Sequence, residues 1–539
     1  MKSDLKAIFA LITTYTIGNF LLLFNRGMYW DGWDLITLLG EKKYGLLREI
    51  YYAQFQRYTE YYILRLLGLT DNPLLISKFL AFASWILAGL FLYGILRKKF
   101  SLPINKAFFL SSFFSLIPIY LVKIDLAFAH YFVNNTLFFG AVFLYFLVEK
   151  NKNLFIKYTG LIFSWIIFFI SFNTESLLVF YGGFLLILFL DRRKELTDKP
   201  LFSLIISWLK KDFIFIILPV IFWAIKLMIG KPISGPESYY NEFLPLNTNS
   251  LMYSIQNIWQ FITYGFFWPI IAPITILDRK IFTGIFLTIL GLFYVITKKI
   301  FSLNDQGADF SPKQYISFGF FLFILGMIPY LAVGKAPQVF GNGFGMRHAL
   351  LLPIGSSLII LGAILTMIKD RWQILLQIIL LALFSTFTIY NYYWLDMDWY
   401  KQQAIIESLR ETKYESIKNA STIIFHDNTG INWQNRNVRS AEYFSYVYSA
   451  FPKNHSKLVA TEEYNPIEQY SFAKMRTEFP LNFNPLKNVI KIDIISKATS
   501  EIPTISNWLS IKKSEIFSDN SVFLEKIKNI YKIETVPRS

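Results

Sequence analysis

The stretch Leu74-Leu-Ile-Ser-Lys-Phe-Leu-Ala-Phe-Ala-Ser-Trp-Ile-Leu-Ala-Gly-Leu-Phe-Leu-Tyr-Gly-Ile-Leu96, closed by Arg97-Lys98-Lys99, decides the fold. An α-helix rises 1.5 Å per residue, so about 20 apolar residues cross about 30 Å of hydrocarbon. Runs of the same kind recur at 7–24, 103–122, 131–148, 154–172, 176–190, 212–229, 281–297, 315–333, 349–368 and 372–392. The expectation is a mostly α, polytopic transmembrane bundle of eleven helices over residues 1–392. A water-soluble domain follows over 393–539. Its helical pattern near Tyr400–Lys418 and the β-like run from Ser421 to Phe425 predict a small α/β fold.

Composition agrees with that reading. The chain of 539 residues is 54% hydrophobic and only 17% charged, where a soluble domain carries roughly a quarter charged residues. The first run, with Lys2 and Lys6 ahead of it, resembles a signal peptide, but no small-residue cleavage site follows and a retained first helix is expected. The net charge of +16 does not point to nucleic acid, because the cations sit at the ends of apolar runs and not in a patch. Cysteine is absent, which excludes disulfides, thiolate metal sites and a cysteine nucleophile. Four histidines in all argue against a histidine-built metal site.

The cations also set a direction, since lysine and arginine collect on the cytoplasmic side. Lys2 and Lys6, Arg97 to Lys99, Lys150 and Lys152, Arg192 to Lys194, Lys298-Lys299, and Lys369 with Arg371 alternate along the eleven runs. The turns at the other ends are poorer in cations. Residues 251–277 are apolar enough to cross, but one more crossing would turn the later cations outward. Pro269 and Pro273 are also expected to break a helix there. That segment is therefore expected to be interfacial or re-entrant, leaving outer loops at 25–73, 230–280 and 334–348, with the soluble domain on the same side.

Chemistry is sought in those loops. The first contains Tyr29-Trp30-Asp31-Gly32-Trp33-Asp34, with two carboxylates on one face of a helical turn. Reduced water near the headgroups raises a carboxylate toward use as a general base. The plainer alternative is a helix cap flanked by an aromatic belt. Behind it lies an amphipathic stretch with Arg48, Arg57, Glu60 and Arg65, expected to lie flat on the membrane and hold anionic lipid. Glu60 gains nothing from anionic headgroups and stands out. Asp125, His130 and Asn134-Asn135 fall near the outer ends of the third and fourth runs, and Asn173-Thr174-Glu175 between the fifth and sixth. The late loop has Lys335, then glycines 341, 343 and 345, then Arg347-His348. Such glycines allow close approach to an anion, and a guanidinium suits a phosphate. A snorkelling arginine is the alternative.

Together these pieces resemble the GT-C membrane glycosyltransferases, which include the dolichyl- or polyprenyl-phosphate-sugar-dependent mannosyltransferases and their bacterial relatives. The resemblance rests on the architecture, on Asp31 and Asp34, and on Arg347. In better-known branches the acids are often adjacent or two positions apart, whereas here they are three apart. The resemblance implies inverting transfer of a sugar from a polyprenyl-phosphate donor to a glycan, lipid or protein acceptor, in the service of cell-envelope polysaccharide synthesis. Asp31 or Asp34 would act as base, and Arg347 with Lys335 would meet the lipid phosphate. Asp125, His130 and Glu175 would line the sugar groove, Glu60 and His348 would also bind substrate, and Tyr239-Tyr240-Asn241-Glu242 would bind acceptor. It further implies a plasma (inner) membrane setting with the site on the extracytoplasmic side and membrane lipids as neighbours. It requires no organic cofactor and admits a divalent cation. A transporter or flippase of lipid-linked sugars is the competing class; it calls for ionisable groups in mid-helix and repeated halves.

Overall fold

The computed structural model describes residues 2–54, 56–195, 200–229, 248–301, 303, 307, 310–338, 343–429, 438, 440–451, 457–461, 483–496 and 504–537. The chain is mostly helical. In order come α1 (Lys2–Phe24), α2 (Gly32–Gly40), α3 (Tyr58–Leu67), α4 (Pro73–Lys98), α5 (Ile104–Leu116) and α6 (Ala129–Val148). Then follow α7 (Leu154–Ser171), α8 (Ser176–Glu195), α9 (Leu201–Ile229), α10 (Thr248–Ile262), α11 (Trp268–Thr275) and α12 (Lys280–Phe301). The last long helices are α13 (Pro312–Leu331), α14 (Leu352–Met367) and α15 (Asp370–Arg410). Among the described residues nine helices are long and apolar enough to cross a membrane, as suits a multi-pass membrane protein.

The expected eleven differ from these nine for local reasons. Helix α5 stops at Leu116, since Pro118 disfavours helical geometry in the residue before it. The apolar part of α8 is cut short by Asp191-Arg192-Arg193-Lys194 in its last turns. Helix α14 meets the 3₁₀ turn Gly343–Ala349 at a bend of 72°. Pro269 and Pro273 do not break the chain's helical course, contrary to expectation. A π-helical turn over Thr263–Phe267 precedes Pro269, which falls in the first turn of α11 where its missing N–H is no loss. The whole stretch 252–278 is long and apolar enough to span, yet its contacts start and finish at one end of the bundle. Phe261 stacks 6.3 Å from Tyr330 at the end of α13, and Arg279 lies over Tyr390 and Trp394 of α15. Between them Phe266 reaches Phe323 and Trp268 reaches Phe387.

The cations gather at the opposite end. Arg97 pairs with Asp4 at 2.9 Å, Lys99 with Asp191, and Arg192 with Asp212 at 3.1 Å and Glu149 at 3.7 Å. The ends of α1, α4, α6 and α8 therefore meet there. Asp212 lies within α9, so residues 201–211 extend that helix past the run expected from 212.

Helix α15 does not stop at residue 392. It runs unbroken for 41 residues, about 62 Å at the helical rise, and carries the chain out of the bundle to the last part of the fold. There β1 (Thr422–Asp427), α16 (Ser440–Ala450), β2 (Leu458–Thr461), β3 (Val489–Ser496), α17 (Ile505–Phe517), α18 (Asn520–Tyr531) and β4 (Ile533–Pro537) follow. The sheet has the order β2-β1-β3-β4, with β1 parallel to β2 and β3, and β4 antiparallel to β3. The expected strand after Ser421 is β1, and its Asp427 pairs with Lys401 of α15.

A buried polar knot ties this part to α15. Asp396 accepts from Lys512 at 3.0 Å, Trp508 at 3.1 Å and Asn25 at 2.7 Å, while Lys512 also pairs with Glu515 at 2.7 Å. Lys512→Ala would leave two buried carboxylates without their counter-charge, which typically costs about 3–5 kcal/mol. A clear fall in the unfolding temperature of the purified protein is expected. An unchanged temperature would mean the knot contributes little.

Candidate functional site

The first loop is held rigidly before it reaches its acids. Asn25 accepts from the Gly27 N–H at 2.9 Å, and the Tyr29 hydroxyl donates to the Leu395 carbonyl of α15 at 2.8 Å. Trp30 then takes a left-handed conformation, φ 45°, which a large side chain adopts only when its surroundings compel it. What compels it is burial. The ring is fully enclosed, 6.5 Å from Phe128 and 6.2 Å from Phe344. Trp33 is buried as well, donating to Gln402 at 2.9 Å and lying against Trp399 and Tyr446. These tryptophans are packing anchors and not a headgroup belt.

Asp31 follows at the N-terminus of α2, where its side chain makes no capping hydrogen bond. The helix-cap reading therefore does not explain it. The next residue, Gly32, lies so close to Asp125 that a Cβ there would stand 2.4 Å from Oδ1. A Cβ there would push the Asp125 carboxylate aside, and the close approach brings Asp31 near Asp125. Asp34 sits half-buried in the first turn of the same helix.

Asp125 starts a 3₁₀ turn, with Oδ1 accepting from the Ala127 N–H at 3.0 Å. Its Oδ2 is buried and makes no hydrogen bond among the described residues. Burial pushes its carboxyl up to about 8, with Asp31 and Glu442 of α16 adding to the rise against the pull of the Ala127 N–H and Lys78. Lys78 is itself buried and donates to the carbonyls of Gly27 and Ile124. Glu60 on α3 is buried between Arg57 at 3.3 Å and His130 Nδ1 at 3.4 Å. Burial raises it to about 7; Arg57 opposes that rise and Asp31 adds to it. Asp31, Glu60, Asp125 and His130 thus form one acidic wall.

A cationic group adjoins it. The Arg347 guanidinium lies 3.7 Å from the centre of the Phe344 ring, which also lies 5.4 Å from Phe128 and 6.2 Å from Trp30. Arg347 donates to His348 Nε2 at 3.2 Å. The other ring nitrogen of His348 is 3.2 Å from the Ala336 carbonyl. Lys335 is drawn down to about 7, first by burial and then by Arg347 and Arg57, with Glu175 opposing. Glu175 belongs to this side, where it pairs with Lys226 at the end of α9. Gly345 packs against Gln338 and so serves the loop's own closure. Gly341 and the segment 239–242 lie outside the described residues.

No family model, curated protein or solved structure matches this chain. The site must be read from its own groups. Sequence reasoning missed three of them. Lys78 could have been found as a cation inside an apolar run. Arg57, three residues before Glu60, could have been found as its ion-pair partner instead of a lipid anchor. Glu442 carried no signal, because only the tertiary fold brings α16 to α2. A divalent cation finds no set of three histidine, aspartate or glutamate ligands among the described residues, and no step is assigned to one.

The raised carboxyl of Asp125 has a consequence for stability. The folded chain keeps a proton that the unfolded chain, at 3.8, has already released. Stability is therefore greatest at low pH and falls as pH climbs through to about 8, by an amount on the order of a few kcal/mol. Thermal unfolding from pH 5 to pH 9 should show that slope; Glu60, raised by burial to about 7, adds to it, so Asp125→Asn should reduce the slope without abolishing it. An equal slope in the variant would assign the titration elsewhere.

Proposed function

We propose that the chain is a membrane glycosyltransferase that moves a sugar from a polyprenyl-phosphate carrier to an acceptor hydroxyl at the cation-poor end of the bundle. The observation that carries this reading is the meeting of an acidic wall from the first loop with a cationic group from a loop some three hundred residues later. Trp30 and Phe128 on one side and Phe344 on the other are in contact. By the positive-inside rule this end faces away from the cytoplasm.

The chemistry follows from the placement. The acceptor oxygen attacks the anomeric carbon as the bond from that carbon to the phosphate oxygen breaks, inverting the centre. Asp31, half-buried at the rim, takes the hydroxyl proton. Glu60 and Asp125, buried and holding protons near neutrality, donate hydrogen bonds to the sugar and avoid adding like charge next to Asp31. Arg347, Lys335 and Arg57 stabilise the charge on the departing phosphate in a site largely shielded from water. Lys78 and Lys226 sit inside apolar runs, but both lie at this same end beside Asp125 and Glu175. That placement suits a fixed reaction site better than an ion path through the bundle.

Transfer from a radiolabelled polyprenyl-phosphate sugar, assayed with the protein in vesicles, tests the reading. If no such donor yields labelled product with any hydroxyl acceptor, the enzyme reading fails. A reporter fused after Lys418 should report the extracytoplasmic side; a cytoplasmic signal would put the site on the wrong face.

A further inference from the structure

A second feature lies deep in the bundle, away from the acidic and cationic walls. An apolar pocket, partly open to the outside, is bounded by α4, α5, α6, α8, α13 and α14, with Leu96, Phe100, Val142, Gly183, Ile187 and Phe318 among its walls. Ser357 is the one polar residue in its lining, and its hydroxyl donates to the Pro353 carbonyl. Water would find no partners there. A void left empty would forfeit the dispersion contacts of its walls. Hydrocarbon is the matching occupant.

The pocket's walls come close to the cation-rich end. Leu96 immediately precedes Arg97-Lys98-Lys99, and Ile187 lies one turn before Asp191 and the cations after it. On α6, Phe138 and Val142 lie two to three turns below His130 of the acidic wall. The lining also reaches Phe180, one turn into α8, and Ile354, at the start of α14, so it is the cations at the near end, and not depth, that select the leaflet. At the near end, Lys98, Lys150, Arg193 and Lys194 are exposed, and no carboxylate lies within ion-pair distance of them among the described residues. Lys150 and Lys194 are close enough to Lys99 to weigh on its charge.

We propose that this cavity holds one acyl chain of an anionic phospholipid from the leaflet at the cation-rich end, with the headgroup held by Lys98, Arg193 and Lys194. Anionic lipid is what such a rim attracts electrostatically, and an apolar slot directly behind it converts general attraction into a retained molecule. The site is independent of the sugar-transfer reading and stands or falls by itself.

The test uses the full chain, reconstituted into vesicles of equal phosphatidylglycerol and phosphatidylcholine, extracted in mild detergent and examined by native mass spectrometry. One retained phosphatidylglycerol per chain is expected. Val142→Trp with Ile187→Phe, which fills the slot, should abolish retention while leaving the protein folded by circular dichroism. Lys98→Gln, Arg193→Gln and Lys194→Gln together should lower the preference for phosphatidylglycerol over phosphatidylcholine on the order of a hundredfold. Absence of bound lipid, equal retention of both lipids, or full retention in the filled variant would overturn the proposal. Displacement of the phospholipid by an added polyprenyl phosphate would also overturn it, and would give the cavity to a carrier chain instead.

Discussion

Asp31→Asn is expected to lower the rate of sugar transfer by roughly 10²- to 10⁴-fold, the usual contribution of a positioned general base. The amide keeps the shape of the carboxylate but cannot take the acceptor proton. Both substrates should still bind, so the loss should fall on turnover more than on apparent affinity. Asp34→Asn is the internal control. Gly32 presses against Asp125 and brings Asp31 to the acidic wall, while Asp34 stands further along α2; its amide variant should lose far less. Initial rates at saturating donor and acceptor would decide between them. Full activity in the Asp31 variant would remove the assigned base and, with both variants active, the acid-pair reading of the first loop.

Arg347→Ala carries the second large effect. Removing one preorganised donor from a developing charge costs about 10²- to 10³-fold in comparable sites, and here the charge is that of the departing phosphate. Donor use should suffer more than acceptor use. Because the guanidinium also covers the Phe344 ring, part of any loss in the alanine variant could come from packing. Arg347→Lys separates the two causes, since it keeps the charge and loses the planar fork. Its activity should lie between wild type and alanine. If the acceptor dependence changes and the donor dependence does not, Arg347 serves the acceptor and the phosphate assignment is wrong.

The two effects are linked by a short path of rings. Trp30 is held in a left-handed backbone conformation with its ring against Phe344, and Phe344 lies under Arg347. A smaller residue at either ring would let the acid and the cation drift relative to one another. Helix α2 is also clamped from the other side by Trp33 against Trp399 of α15 and Tyr446 of α16. The part of the chain after α15 thus steadies the helix whose first turn carries the acids.

Much of the bundle was legible in the chain itself. Apolar runs of about 20 residues and the lysines and arginines at their ends are local properties of composition, and the transfer of apolar surface out of water acts on each run wherever it later packs. Hence Leu74–Leu96 could be read as a helix, and Arg97 to Lys99 as its end, before any contact was known. The strand after Ser421 was readable for similar reasons. Other features were decided only by tertiary structure. Asp31, Glu60, Asp125, Glu442 and Arg347 lie far apart in the chain, and nothing local says which of them meet. Packing of α2 against α15 and α16, and of Trp30 against Phe344, chose the partners. The passage of helix through Pro269 depended on a π turn that no residue pattern announced, and α15 ran on past 392, where buried polar bonds such as Asp396 with Lys512 hold it. Hydrophobicity is additive along a chain and can be read in order; contact between distant side chains depends on the whole packed arrangement and cannot.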